Sequence, residues 1–297
     1  MKSSQIKYTL LLSLGALIWG CAFVFQSLAS DTISPLFFNA ARSFLAFFTI
    51  LPLVIRQWPQ IREHNLCRLL IEGSLTGFFL FLGAYFQQSG IAGTTTAKAG
   101  FLTALYIVMV PVVHLLLGKK ASKKLWLPVL LALIGLYLLC NISFANFRLN
   151  RSDLLLLGCA LSFTIQIICV DYYSNIYNAL ALSAVEFLSS AIFSLIASLL
   201  FENPQLSALK SAWMAIAYTG ILSSGFGYTI QIITQKHLDP TVASLCMSLE
   251  SVFGALAGWL FLHQHLSGRE LWGCALMFAA IIIAQLPDKT EQKSLSQ

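Results

Sequence analysis

An all-α integral membrane protein, ten transmembrane helices built as two inverted five-helix repeats, is the fold class predicted by three features of this chain. The 297 residues are 58% hydrophobic and only 10% charged, with mean hydropathy +0.78. A soluble domain carries about 25% charged residues, so so few charges cannot cover a buried core of this size, and a bilayer must solvate most of the chain. Apolar stretches near the roughly 20 residues needed for one crossing occur ten times. They also match in two sets of five: residues 72–138 align with residues 218–284 at a constant offset of 146. Because five is odd, the second set threads the membrane in the opposite sense to the first.

In chain order the predicted spans are 8–29, 34–55, 67–90, 94–117, 125–141, 153–173, 179–200, 211–235, 239–262 and 270–286. The first could pass for a signal peptide, but Trp19 stands where cleavage needs a small residue and the apolar run continues past Cys21, so it is read as a retained helix. It aligns with the sixth span, Gly15 opposite Gly158. The second aligns with the seventh at offsets of 143–144, placing Asn39 opposite Ser183 and Arg42 opposite Glu186. In the third and ninth, Gly73/Gly77 and Gly254/Gly258 form the GxxxG pattern that lets helix backbones approach closely. These pairs serve packing within the monomer; a homodimer through Gly254 and Gly258 is the alternative. Pro111 interrupts the hydrogen bonding of the fourth span, so a kink is expected there, whereas its counterpart Ala257 predicts none, and the two halves should differ in stiffness. The connections are too short for a soluble domain. The predicted units are therefore residues 1–145 and 150–287, followed by a polar, disordered cytoplasmic tail at 288–297.

The formal net charge is +6. With the N-terminus inside, twelve Lys and Arg fall on the inner side, five on the outer, and Arg42 lies within a span. That bias fits the positive-inside rule with both termini cytoplasmic and the chain in the cytoplasmic membrane. The basic charge thus reports orientation and does not point to nucleic acid.

An ionisable residue deep in a span costs roughly 2.5–3.5 kcal/mol, and each is a functional candidate. At about 1.5 Å rise per residue, Arg42 sits about 12 Å below the outer boundary and Glu186 about 11 Å above the inner one, with Glu250 near the midplane. A cation above and carboxylates at or below the centre would grip the two ends of a zwitterion, or would pair with each other as a structural ion bridge. Lys98 lies near the outer end of its span, where it either snorkels to the surface or meets an anionic group. Asn39, one turn from Arg42, adds a polar group. Trp19, away from the interfacial belts where Trp usually sits, and Tyr106 would pack on an organic substrate or serve the core; Phe23 and Tyr85 are similar. The intramembrane amides Gln87, Gln88 and Gln166 read as glue between helices.

The seven cysteines show no CxxC or ligand-like spacing and read as small apolar packing residues. His263 and His265, two residues apart, point to different helix faces, so no metal is expected. There is no GxSG, HExxH or Walker-type loop, and neither catalysis nor a cofactor is expected. Inverted repeats place a substrate site at their interface near the midplane. The expected partners are thus a small-molecule substrate and the lipid bilayer.

The segments IWGCAFVFQ, TTTAKAGFLTALYIVMVPVVHLLLGKK and SLESVFGALAGWLFLHQHLSGRELWGCALMFAAIIIA resemble the EamA family of the drug/metabolite transporter superfamily, over about residues 8–286. The resemblance implies ten helices around a central cavity and movement of small metabolites, often amino acids and often outward. One departure is visible: family members commonly carry Gly-Glu after the fourth span of a repeat, where this chain has Gly118-Lys119 and Gln264-His265. The expectation is a secondary exporter of small polar or zwitterionic metabolites. Its alternatives are an uptake carrier or exchanger for a nucleotide-like metabolite such as S-adenosylmethionine, a role of some relatives, and a non-transporting scaffold or enzyme subunit.

Overall fold

The computed structural model describes residues 3–62, 65–94, 96–119, 123–139, 150–262, 265–284 and 286. The first half comprises α1 (Ser3–Ala29), α2 (Pro35–Arg56), α3 (Trp58–Ile61), α4 (Leu66–Ile91), α5 (Thr96–Thr103), α6 (Tyr106–Leu116) and, after a 3-10 turn at Lys123–Leu125, α7 (Trp126–Leu139). The second comprises α8 (Arg151–Tyr173), α9 (Ala179–Phe201), α10 (Leu206–Ser211), α11 (Trp213–Ala217), a π-helical stretch (Tyr218–Tyr228), α12 (Thr229–Gln235), α13 (Pro240–Met247), α14 (Leu249–Leu262) and α15 (Gly268–Ala284). No strand occurs among the described residues. The predicted tail at 288–297 and His263 lie outside them.

Local chemistry explains the boundaries. Pro35 occupies the first turn of α2, where its missing N–H costs nothing. Asn150 and Asp153 form a reciprocal capping box at the start of α8. Asn178 caps α9 and Asp239 caps α13. Gly118, at φ +74°, ends α6 in the left-handed conformation that glycine tolerates.

Seven helical stretches are long and apolar enough to cross a membrane among the described residues: Gln5–Ala29, Pro35–Arg56, Leu66–Ile91, Ala99–Leu116, Arg151–Tyr173, Ala179–Phe201 and Pro240–Phe261. Of the other predicted spans, α7 has 14 residues, α15 has 17, and 211–235 is divided among α11, the π-helical stretch and α12. Leu116, Phe201 and Trp272 are 70–81% exposed, as suits side chains on helices that face lipid. Trp58, Trp126, Trp213, Trp259 and Trp272 are exposed near helix ends, whereas Trp19 is buried.

The two halves interlock. Helix α2 packs on α9, α4 on α8 and α9, α1 on α14, and α7 on α15. Small and polar residues bring the backbones together, because lipid gives apolar side chains no incentive to associate. Ser43 Oγ lies 3.5 Å from Ser190 Oγ. A Cβ on Gly77 of α4 would overlap Ser189 Oγ and the Glu186 carbonyl of α9. At one end of the pair, Glu202 accepts hydrogen bonds from Ser34 Oγ, Leu36 N, Phe37 N and Ser198 Oγ, tying the N-terminus of α2 to the end of α9.

The expected kink at Pro111 is displaced. Helix α6 continues through Pro111, and the interruption falls earlier, at Ala104 and Leu105. There the amides of Ile107 and Val108 turn back to carbonyls three residues earlier, the tighter 3-10 pattern. The counterpart span is also interrupted, at Ser248 between α13 and α14, so the expected asymmetry between a broken and an unbroken span does not hold.

Candidate functional site

The two interruptions bring chemistry to the centre of the helix assembly. Tyr106 opens α6 and Glu250 lies in the first turn of α14, at a helix end whose dipole favours negative charge. The Tyr106 hydroxyl donates to Glu250 Oε1 at 3.0 Å. Helix α1 approaches this point because residue 20 is glycine: a Cβ there would stand 2.7 Å from the Glu250 carbonyl oxygen and 2.6 Å from Phe253 Cβ.

One residue earlier, Trp19 points its indole toward the π-helical stretch and donates from Nε1 to the Ser223 carbonyl at 3.0 Å. Its ring tilts against that of Tyr228, centroids 5.1 Å apart. Arg42, only 4% exposed, reaches in from α2. Its Nε donates to Asn39 Oδ1 at 2.9 Å and its Nη1 to Gln26 Oε1 at 3.4 Å. Asn39 is in turn anchored through Nδ2 to Ser194 Oγ at 2.8 Å.

Trp19, Arg42, Tyr106 and Glu250 line one central cavity of about 40 Å³, room for a few waters. Phe23, Phe163 and Tyr228 supply aromatic wall, and Gln26, Gln87, Gln166 and Gln231 supply amides. No ion pair within 4 Å joins Arg42 to Glu250 or to Glu186. The cavity therefore presents a guanidinium and a carboxyl group with no ion pair between them. The remaining expected residues stand elsewhere. Asn39 lies behind Arg42 and orients it. Glu186 is fully buried on α9, behind Gln166, whose Nε2 donates to Glu186 Oε1 at 2.8 Å. The backbone of Lys98 belongs to α5, and its side chain lies outside the described residues.

Sequence reasoning missed Tyr228, Ser223 and Gln231 as wall residues and favoured glue over ligand contact for Gln166. Gln166 is both, since its Oε1 accepts from Gln231 Nε2 at 3.1 Å while its side chain faces the cavity. The amides were a usable signal, because Gln166, Gln231 and Gln235 all interrupt apolar spans. Tyr228 carried none: it closes a π-helical stretch, whose i→i+5 bonding defeats the helical periodicity that assigns a residue to a face. Among the described residues no cluster of three or more His, Cys, Asp or Glu could hold a metal ion.

The profile of the EamA-like transporter family matches residues 6–141 and again residues 150–285. An uncharacterized transporter of Archaeoglobus fulgidus is 31% identical over 277 residues, 93% of this chain and 84% of that protein. The uncharacterized transporter YoaV of Bacillus subtilis is 24% identical over 90% of this chain and 92% of its own length. Protein PecM of Dickeya dadantii is 26% identical over 74% of each chain. A solved crystal structure superposes with a TM-score of 0.76 at 16% identity, covering 94% of this chain and 96% of that one, a likeness of fold alone.

Proposed function

This chain belongs to the EamA-like transporter family, and from that premise we propose that it is a secondary exporter of small polar or zwitterionic, amino-acid-like metabolites across the cytoplasmic membrane. The observation that carries the reading is the pair of opposite charges, Arg42 and Glu250, lining one buried cavity without contacting each other. Keeping two unpaired charges inside a bilayer is costly, and a ligand carrying both charges offsets that cost. The carboxylate of such a substrate would meet Arg42, its ammonium would meet Glu250 and Tyr106, and its side chain would lie among Trp19, Phe23 and Tyr228. Lys98 is proposed as an outer attraction point for the anionic end. Asn39 holds the Arg42 guanidinium in place.

In this reading residues 1–145 and 150–287 form two inverted five-helix repeats with both termini cytoplasmic. The pattern of helix contacts supports it. Packing of the fourth predicted span on the sixth (α6 on α8) has its counterpart in the ninth on the first (α14 on α1). Likewise α4 on α9, the third span on the seventh, corresponds to the π-helical stretch on α2, the eighth on the second. Helices broken at corresponding points of two repeats are characteristic of transporter binding sites.

The test is the extracellular metabolite profile of a bacterial host expressing the protein, beside cells expressing Arg42→Ala at equal membrane levels. A zwitterionic compound accumulating outside only with the wild type is the expected result. No difference between the two, with both proteins folded, would sink the exporter reading and direct attention to uptake or exchange.

A further inference from the structure

The substrate cavity does not absorb every buried charged group. Glu186 is 0% exposed, lies on a membrane-spanning helix, and does not line the cavity. Its Oε1 accepts one hydrogen bond, from Gln166 Nε2. Its Oε2 is buried and has no partner. Among the described residues no cation stands within ion-pair distance of it.

The surroundings of Glu186 can be enumerated. Helix α4 meets it with Gly77, which carries no side chain. From α8 come Gln166 and the thiol of Cys169. The π-helical stretch contributes the phenol of Tyr228, whose ring also meets Phe187. Helix α2 offers Ser43, against Ser190 one turn farther along α9, and α12 offers the amide Gln231 behind Gln166. Among the described residues the titratable neighbours are thus one thiol and one phenol, and no full charge of either sign faces the carboxyl.

A carboxylate in this place would be a buried charge with one neutral donor, and burial of an uncompensated charge is resolved by neutralisation. A proton on Oε2 removes the charge with no rearrangement of the helices. The site is also connected. Gln166 touches Glu186 at one end and lines the cavity at the other, held by Gln231, which donates to both Gln166 and Gln235. An occupant of the cavity that engages the Gln166 amide changes the single hydrogen bond that Glu186 receives. A cationic group entering the cavity also favours the ionised carboxyl. Substrate occupancy and protonation of Glu186 are therefore linked.

We propose that Glu186 is a proton-binding site, distinct from the substrate contacts, that Gln166 and Gln231 couple to the central cavity. The inference rests on the transporter reading only for its purpose: the proton would be the coupling ion that drives outward movement. Protonation itself adds H⁺ from water to Oε2 and releases it on ionisation, with no redox partner.

The proton is the probe. Infrared difference spectra of the purified full-length wild-type protein, recorded as pH is stepped through neutrality, should contain a carboxylic-acid C=O band. Glu186→Gln, which keeps side-chain volume and the partner amide, should lose that band, while Glu250→Gln should retain it. A merely structural glutamate would leave the spectrum unmoved, and a spectrum unchanged by Glu186→Gln, or a wild type without such a band, overturns the proposal. Should Glu186→Gln not fold, Glu186→Asp decides: a shifted band supports the site and an unmoved band refutes it. None of these readings requires flux, so failure of the proton site and failure of the transport reading are separately visible.

Discussion

Replacing Arg42 should separate function from folding. The guanidinium costs roughly 2.5–3.5 kcal/mol to keep within a span. Against that stand one good hydrogen bond, 2.9 Å to Asn39, and one long one, 3.4 Å to Gln26. Arg42→Met removes the charge cost and preserves much of the volume, but leaves Asn39 Oδ1 without its donor, a penalty of about 1–3 kcal/mol. The two largely offset, so the folded state should change by no more than about 2.5 kcal/mol, mostly toward greater stability. Substrate binding has no such compensation. Losing one member of a buried charge pair costs about 2–5 kcal/mol, which corresponds to a roughly 30- to 5,000-fold loss of affinity. The assay pairs a thermal unfolding curve in detergent with export of the compound identified by metabolite profiling. Nearly unchanged unfolding with export abolished is expected for Arg42→Met, and a folded but somewhat less stable protein with export abolished for Arg42→Ala. If Arg42→Ala collapses the folded yield while Arg42→Met restores yield and export together, Arg42 is a structural residue and the charge-recognition reasoning is wrong.

Three further perturbations probe the frame around the cavity. Gly20→Ala places a methyl against the Glu250 carbonyl and Phe253, so about 1–3 kcal/mol of overpacking should lower the unfolding midpoint and export together; an unaffected protein would mean that α1 and α14 are not in this register. Glu202→Ala removes four hydrogen bonds at the α2–α9 junction, among them the cap of α2, and should destabilise by about 2 kcal/mol or more, with Glu202→Gln intermediate on the same unfolding curve; an Ala variant as stable as wild type refutes the cap. Trp19→Phe keeps an aromatic ring but loses the bond to Ser223; a loss of about 1 kcal/mol in stability with reduced export is expected, and unchanged export would take Trp19 out of the substrate wall.

The legibility of the site followed the chemistry of each residue. Arg42, Glu250 and Trp19 stood out in the sequence because a charge deep in an apolar run, or a tryptophan far from the interface, is anomalous whatever its neighbours, and these three line one cavity with Tyr106, which the sequence offered only as a packing aromatic. Glu186 was equally anomalous, and the alignment of the two halves set it opposite Arg42, yet the two do not meet. Arg42 faces the cavity and Glu186 lies behind Gln166. Asn39 was identifiable as a polar neighbour, but its part in holding the guanidinium depends on Ser194 across the α2–α9 contact.

The sequence by itself determined that the chain belongs in a bilayer, that its two halves are related, and which family it joins. These follow from apolar run lengths and from residue order, and both are properties along one dimension. The tertiary structure alone decided which side chains share the cavity. Facing depends on how closely two backbones approach, as at Gly20 and Gly77, and on where a helix leaves its regular period, as at Ala104, Ser248 and the π-helical stretch Tyr218–Tyr228. Each irregularity rotates every later side chain about the helix axis, and a one-dimensional pattern read at a fixed period carries no record of that rotation.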